Sequence, residues 1–447
     1  MPNKVKFLHA ADLHLGSPLK SVGNKSSEIK TIIEKAGYTA LERLTNAAIR
    51  HKVDFVLFSG DIYDQEVRSV TANQVFIDNM KKLEEANINV YIIYGNHDPL
   101  DQGLEYFKFP GNVHVFPSDK PHLEDAFDQD GKLTARVLGQ SYRNPSDSRK
   151  MHESYNPPDQ NTFNIGLLHT GLNPSMNKYV PCSELELKEK QALHYWALGH
   201  EHHPKIISNK RPAIAFPGII QGREPGEPGC KGCLLVSINP GEDPVIAFIP
   251  TSPVMWLKRK VAIRQDDQNI DDLKELLLEE GQKILDGDPT GEVEIELANG
   301  EEARVDGYIV RWELTGRGPV HKNLIAKEET ELGESLAEEL RKELGIVPPF
   351  VWTESIDFST APPLPEFAEI PEEDAVLQEL NAVYRAIKEE GKDQDIIDNM
   401  GEIWFEPDDH EAQNPNKLPI TGEHYNRIIE KAYRLAVERL VEGREHS

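Results

Sequence analysis

The stretch Tyr94-Gly95-Asn96-His97-Asp98 follows an apolar run, residues 90–93, that has the pattern of a buried strand. It places an amide, an imidazole and a carboxylate where that strand ends in a turn. The carbonyl oxygen of Asn can bind a metal, and His can hold or donate a proton, so the stretch indicates chemistry at a strand end. Taken alone, it fits an ordinary polar turn equally well.

Two earlier strands also end in polar side chains. Residues 5–10 form an apolar run that leads to Asp12 and His14, and residues 55–58 form another that leads to Asp61. Because side chains two apart along an extended chain point the same way, Asp12 and His14 face one spot. This spacing is typical of metal ligands.

Helical patterns separate these strands. Apolar residues recur at helical spacing over 26–51 and again over 70–86. The order strand, helix, strand, helix, strand predicts a parallel sheet with right-handed crossovers. Asp12, Asp61 and Asn96 then lie at the carboxyl ends of its strands, which is the edge at which open α/β sheets bind ligands.

A second sheet is predicted from residue 113 onward, where short apolar runs are separated by turns. Two of these runs end in histidines, one at His169 and the other at His200 and His202, which again share a face. The last two runs end before Pro253. The sequence therefore predicts one domain with two sheets over residues 1–253.

Length and composition limit the class of protein. A chain of 447 residues suggests about two or three domains. It has no run of about 18 apolar residues and starts directly with a strand, so we expect a soluble, cytoplasmic protein with no membrane segment. Three cysteines are too few for a disulfide framework. Cys230 and Cys233 have CxxC spacing, but no second pair completes a zinc site, and we interpret them as part of a turn.

The net charge of −27 is unevenly distributed. Residues 1–253 contain 27 basic and 30 acidic residues, a net charge of −3, which leaves −24 for residues 254–447. The near-neutral half can carry local basic patches for phosphates, whereas the acidic half suits a solvated region or a basic protein surface. Neither half is basic enough to indicate nucleic-acid binding by charge alone.

The pattern changes after Pro253. Strand patterns over 254–263 and 308–314 enclose an acidic amphipathic helix over 271–285, so we predict a small α+β domain over 254–325. An acidic, mainly helical region is predicted over 326–447. Its helical patterns cover 328–344, 374–388 and 423–441, with a proline-rich joint at 361–365. The apolar side of the last helix suits either a core or a partner interface.

The polar residues at the strand ends combine into one ligand set. Three side chains supply oxygen and four supply imidazole nitrogen: Asp12, His14, Asp61, Asn96, His169, His200 and His202. Seven ligands are too many for one tetrahedral ion and suit two ions that share a bridging carboxylate. Nitrogen and oxygen donors without thiolate favour manganese, iron or zinc over calcium.

Five motifs together resemble the signature of calcineurin-like metallophosphoesterases. They are Asp12-Leu13-His14, Gly60-Asp61, Gly95-Asn96-His97-Asp98, His169 and Gly199-His200-Glu201-His202. Residues 9–19 resemble the narrower branch of SbcD-like and YhaO-like DNA repair exonucleases, and stretches within 217–233 and 314–321 resemble the YhaO-like subgroup. The resemblance covers most of residues 4–325.

This resemblance implies an α/β fold, a two-sheet metallophosphoesterase sandwich flanked by helices, and it assigns the ligands. One ion would be bound by Asp12, His14, Asp61 and His202, and the other by Asp61, Asn96, His169 and His200. The two ions would activate a water for in-line attack and stabilise the charge that develops on phosphorus. We take Mn²⁺ as the first choice of metal, with Fe²⁺ or Zn²⁺ as alternatives.

The resemblance also implies roles for residues beside the ligands. His97 would protonate the leaving 3′ oxygen, and we expect Asp98 to orient His97 through a hydrogen bond. Asp64 stands where some relatives carry a histidine that faces the phosphate. Whether Asp64 has that role or instead caps or supports its neighbours stays open.

The family implies partners as well. The small domain at 254–325 would narrow access to the metals, and the region 326–447 would dock an SbcC-like coiled-coil ATPase, although a solvated tail explains its polarity equally well. A homodimer and work at the nucleoid are further family expectations.

Three functions follow as hypotheses. The first is a manganese-dependent DNA exonuclease, with endonuclease activity as an extension, in DNA repair or end processing. The alternative hydrolase is a metal-dependent phosphatase or small-molecule phosphodiesterase. A non-catalytic scaffold is the third, and the complete ligand set together with His97 argues against it.

Overall fold

The structure is a computed structural model that describes most of the chain. The described residues are 4–17, 19, 27–64, 69–100, 108–159, 161–175, 178–287, 293–325, 329–345, 347–363, 375–389, 429, 431–433, 435–437 and 439–440. The chain divides into two compact units. The first contains Met1–Ala262, Asn269–Thr315 and Leu324–Ser359, and the second contains Ile263–Gln268, Gly316–Asn323 and Thr360–Ser447.

The first sheet has six strands in the order β12-β11-β1-β2-β3-β4. Their bounds are Val5–Ala10 (β1), Phe55–Ser59 (β2), Asn89–Ile93 (β3), Val113–Val115 (β4), Gly232–Ile238 (β11) and Val245–Pro250 (β12). Strands β1 to β4 are parallel, and helices α1 (Ser27–Arg50) and α2 (Val70–Glu85) are crossovers. β2 is buried throughout and apolar up to its last residue, because both faces of the sheet are covered.

The second sheet also has six strands, in the order β5-β6-β7-β8-β10-β9. Their bounds are His122–Phe127 (β5), Leu133–Gly139 (β6), Phe163–His169 (β7), Tyr195–Gly199 (β8), Lys205–Ser208 (β9) and Ala213–Phe216 (β10). The two sheets pack face to face, with the ring of Phe7 in β1 against that of Tyr195 in β8. The predicted two-sheet α/β fold flanked by helices is confirmed.

A third sheet contains one strand that the sequence analysis missed. β13 (Val254–Ala262) and β14 (Gly307–Arg317) are parallel and are connected through α4 (Ile270–Asp286), as the pattern indicates. The missed strand is β15 (Phe350–Ala361), which pairs with β14 within the region described from sequence as mainly helical. Two helices precede it, the short α5 (His321–Ile325) and the longer α6 (Glu329–Leu344). The domain boundaries at 253 and 325 stay predictions.

One described helix belongs to the second unit. It is α7 (Ala375–Glu389), in which Leu377 and Leu380 pack with Val437 and Leu440. The predicted helix over 423–441 is helical at its described positions, and its other residues, like Pro18 and residues 364–365, lie outside the described part. Among the helices that the structure describes, none has the length and apolar character that a membrane span requires.

Candidate metal centre

Three of the predicted ligands lie in strained turns directly after their strands. Asp12, His14 and Asp61 have φ values of 51°, 43° and 51°. The left-handed region is uncommon for residues other than glycine and is often found at functional sites. The two turns are paired, since the Asp12 N–H donates to the Gly60 carbonyl and the His14 N–H donates to the Asp61 carbonyl, both at 3.0 Å. These bonds fix the turns to each other.

Glycines let neighbouring loops come this close. A Cβ atom added to Gly95 would overlap the Asp61 carboxylate, and one added to Gly199 would overlap the backbone carbonyl of Ser59. The glycine before Asn96 and the glycine before His200 are therefore required by close approach rather than by turn geometry.

The first group of ligands comprises Asp12, His14 and His202, each of which offers an atom within 4.8 Å of the others. Both ring nitrogens of His14 are buried and have no hydrogen-bond partner, although the side chain lies 3.9 Å from the Asp61 carboxylate. The Nδ1 atom of His202 lies 2.6 Å from a carboxylate oxygen of Glu227, which fixes the ring and leaves Nε2 for a metal. A cation here would give the buried nitrogen of His14 the partner it lacks.

The second group surrounds Asp61. His169 Nδ1 donates to the Ser59 carbonyl at 2.8 Å, while its Nε2 lies 3.0 Å from Asn96 Oδ1 and 3.4 Å from Asp61 Oδ2. His200 Nδ1 is 3.1 Å from the same Asn96 oxygen. Burial lowers the pKa of His169, but the Asp61 and Asp12 carboxylates outweigh it and raise the pKa to about 9, so Nε2 carries a proton that faces these two oxygens. A divalent cation would replace that proton and be bound by the nitrogen and both oxygens, and these residues therefore fit a metal.

The structure thus brings all seven predicted ligands together, with Asp61 between His14 and His169. His97 lies at their edge, where its ring contacts that of His14 with centroids 4.9 Å apart. Its backbone N–H donates to Asp61 Oδ1 at 2.9 Å. The arrangement has the donors for two ions and a proton-carrying side chain beside them.

Asp98 lies in a different place from the one expected of a residue that orients His97. Its Oδ1 accepts from the Gly95 N–H at 2.8 Å, and its Oδ2 accepts from the Ile62 and Tyr63 N–H groups at 2.7 and 3.1 Å. These bonds connect the loop after β3 to the loop after β2. The carboxylate that faces the His97 ring is that of Asp64, with 3.5 Å between its Oδ1 and His97 Nδ1.

Comparison with known proteins agrees with this geometry. Residues 5–204 match the model of the calcineurin-like phosphoesterase family. They form a calcineurin-like phosphoesterase domain. All seven predicted ligands, from Asp12 to His202, lie within this domain.

Curated relatives match about half to three fifths of the chain. The metallophosphoesterase YhaO of Bacillus subtilis is 34% identical over 267 residues, which are 59% of this chain and 65% of YhaO. The DNA double-strand break repair protein Mre11 of Methanocaldococcus jannaschii is 28% identical over 229 residues, 48% of this chain and 56% of that protein. The alignments therefore span about half to two thirds of these relatives. A solved dimetal phosphatase from Danio rerio aligns with 56% of this chain and 99% of its own, at 12% identity and a TM-score of 0.35.

Burial sets the protonation of the ligands in the phosphoesterase domain. It lowers the pKa of His14 well below its usual value and that of His200 to about 3, so both rings are neutral and able to bind a cation. Burial raises the pKa of Asp12 to about 6. For Asp61, burial acts in the same direction, but the charge and hydrogen bond of His169 outweigh it and lower the pKa. A bound divalent cation favours the ionised form of both carboxylates.

We call the seven predicted ligands, His97 and the residues that contact them the phosphoesterase centre. Two of its residues, Arg223 and Glu227, were not identified from sequence as functional. Arg223 donates from its backbone to Glu227 Oε2 at 2.7 Å and from its guanidinium to Glu227 Oε1 at 3.3 Å. The same guanidinium lies 3.7 Å from Asp64. Arg223 therefore connects the carboxylate that supports His97 to the carboxylate that supports His202. The only sequence signal was the subgroup stretch Gln221-Gly222-Arg223, which carried no role.

Proposed function

We propose that this protein is a manganese-dependent phosphodiesterase that degrades DNA from its ends, with endonuclease activity as an extension, in DNA repair or end processing. The observation that carries the proposal is the convergence of the seven predicted metal ligands on one site with His97 beside them. DNA as substrate is supported by the relatives described as DNA double-strand break repair proteins.

The seven predicted ligands divide between two metal ions. Asp12, His14, Asp61 and His202 would hold one ion, and Asp61, Asn96, His169 and His200 would hold the other. When bound, two such ions supply Lewis-acid stabilisation of the phosphoryl group and activate the attacking water. Glu227 holds the His202 ring, and Ser59 holds the His169 ring, so that each presents one nitrogen to the site.

His97 supplies the proton. The contact of its Nδ1 with Asp64 raises the pKa of His97 above its usual value, against the effect of burial, and lowers that of Asp64 to about 2. The ring therefore keeps its proton to higher pH than an ordinary histidine does, and Nε2 is the atom free to protonate a leaving oxygen. A role for Asp98 is then to hold the loop that carries His97 rather than to touch its ring.

Partners and location are proposed on the same basis. The family resemblance suggests an SbcC-like coiled-coil ATPase docked on residues 326–447, a homodimer and work at the nucleoid, and the relatives named as DNA double-strand break repair proteins are consistent with these proposals. The −24 net charge of residues 254–447 suits a basic docking surface.

A phosphatase or small-molecule phosphodiesterase is the alternative. It is favoured by the net charge of −3 over residues 1–253, because a DNA-binding surface is usually basic.

The test is Mn²⁺-dependent degradation of end-labelled duplex and single-stranded DNA, with p-nitrophenyl phosphate as a parallel substrate. We expect loss of nucleotides from the DNA ends that disappears in Asn96→Ala and persists in Lys81→Met, an exposed position on α2. If only the small ester is hydrolysed, with and without a candidate ATPase, the phosphatase alternative replaces the proposal.

A further inference from the structure

A second cluster of metal-ligating side chains lies apart from the ligands of the phosphoesterase centre. His152 and Glu153 belong to a 3-10 turn, Met151–Ser154, and Glu186 belongs to α3 (Glu184–Lys188). One ligand atom from each of the three side chains lies within 4.8 Å of the others. None of these residues has a role in the proposed hydrolysis.

His152 is the unusual member of the cluster. Its side chain is 2% exposed, and both ring nitrogens are buried without a hydrogen-bond partner. A buried polar group without a partner destabilises the fold, so its persistence calls for a physical cause. Burial lowers the pKa of His152, which leaves the ring neutral, the form that binds a metal.

The spacing of the cluster suits coordination better than hydrogen bonding. His152 Nε2 lies 3.8 Å from Glu186 Oε1, which is too long for a hydrogen bond. Two ligands on one tetrahedral zinc ion, with bonds of about 2.1 Å, are separated by about 3.4 Å. A shift of a few tenths of an ångström would therefore bring this nitrogen and this oxygen to one ion.

Glu186 is already held in position. Its Oε2 accepts hydrogen bonds from the Ser183 N–H at 2.7 Å and from the Ser183 hydroxyl at 2.8 Å, in the capping box of α3. These bonds lower the pKa of Glu186 to about 2, so the carboxylate is ionised. Since Oε2 is occupied, Oε1 is the oxygen left to face His152.

A lysine competes for the same place. Lys150 Nζ lies 3.1 Å from Glu186 Oε1 and 3.7 Å from Glu153 Oε1, while His152 keeps no hydrogen bond. The ammonium neutralises the carboxylates but does not use the imidazole. A divalent cation would use all three side chains.

We propose that His152, Glu153 and Glu186 form a binding site for a zinc-class divalent cation, which exchanges with the ammonium of Lys150. The ion joins the 3-10 turn to α3. The chain between β7 and α3 carries Tyr179, whose ring contacts that of His200 with centroids 4.9 Å apart. The site therefore stabilises a part of the fold that borders the phosphoesterase centre. This proposal does not depend on whether the substrate of that centre is DNA.

The test is equilibrium dialysis of the full chain against Zn²⁺, with bound zinc counted per folded chain. The phosphoesterase centre contributes equally in all variants, so the comparison isolates the second site. We expect His152→Gln and Glu153→Gln each to lose one ion relative to wild type. Lys150→Met should bind that ion at least tenfold more tightly, because it removes the competing charge.

Lys188→Met is the matched control, since Lys188 lies on α3 and pairs with Glu184 outside the cluster. It should bind zinc as wild type does. Glu153 is exposed, so Glu153→Gln tests the site even if His152→Gln does not fold. Equal zinc counts in wild type and Glu153→Gln, or no tighter binding in Lys150→Met, would overturn the proposal.

Discussion

Replacing Asp64 by asparagine should slow the cleavage of bonds whose leaving group needs a proton. Asp64 Oδ1 lies 3.5 Å from His97 Nδ1, and the Asp64 side chain is 19% exposed. Asparagine keeps the size of the side chain and removes its charge. His97 then loses the contact that orients its ring and raises its pKa.

The size of the effect follows from this contact. A hydrogen bond to a charged group contributes about 1.5–3 kcal/mol. The contact of His97 with Asp64 is at the long end of the distance range and partly exposed, so we take about 1.4 kcal/mol, which is tenfold in rate. We therefore expect kcat on DNA, whose leaving group is an alkoxide, to fall about tenfold. The p-nitrophenolate of a p-nitrophenyl diester leaves without protonation, so kcat on that substrate should fall by less than about twofold.

The assay compares kcat on both substrates at saturating Mn²⁺, for wild type, Asp64→Asn and Asp78→Asn. Asp78 is an exposed carboxylate on α2 that pairs with Lys81, so it controls for the loss of a surface charge. Equal losses on the two substrates would mean that Asp64 acts only on the fold or the metals. No loss on either would refute its support of His97.

Three further predictions concern the same centre. Glu227→Gln should weaken Mn²⁺ binding about 10- to 100-fold, measured by titration calorimetry, since it loosens His202; unchanged affinity would contradict this. Gly95→Ala should abolish Mn²⁺ binding while the far-UV circular dichroism stays native, because its Cβ would overlap the Asp61 carboxylate; normal metal content would contradict it. The rate on DNA should fall on the alkaline side as His97 loses its proton, and this fall should begin at lower pH in Asp64→Asn, where the pKa of His97 is no longer raised; identical pH profiles would contradict it.

Much of the metal centre could be predicted because it depends on local patterns. Asp12, Asp61 and Asn96 each follow an apolar run, and the parallel order of the runs brings strand ends to one edge. Spacing places a residue on an edge without specifying what its side chain faces. Asp64 and Asp98 are both close to the site in sequence, yet only the packed loops determine that Asp64 faces His97 and that Asp98 accepts backbone N–H groups.

The features that were missed depend on distant contacts. Strand β15 pairs with β14, about 40 residues earlier in the chain, and its sequence context of acidic helices gave no sign of that partner. Arg223 and Glu227 lie on a loop after the last histidine motif, and their roles come from contacts with Asp64 and His202. Register and loop packing of this kind are properties of the folded chain.

The central claim is that the strand ends form one dinuclear centre bridged by Asp61. Its most direct test is electron paramagnetic resonance of the full chain during titration with Mn²⁺. We predict a spin-coupled pair of Mn²⁺ ions in wild type, and loss of the coupling in Asp61→Asn, because the bridging carboxylate is gone. A single uncoupled ion in wild type, or coupling that survives in Asp61→Asn, would contradict the account.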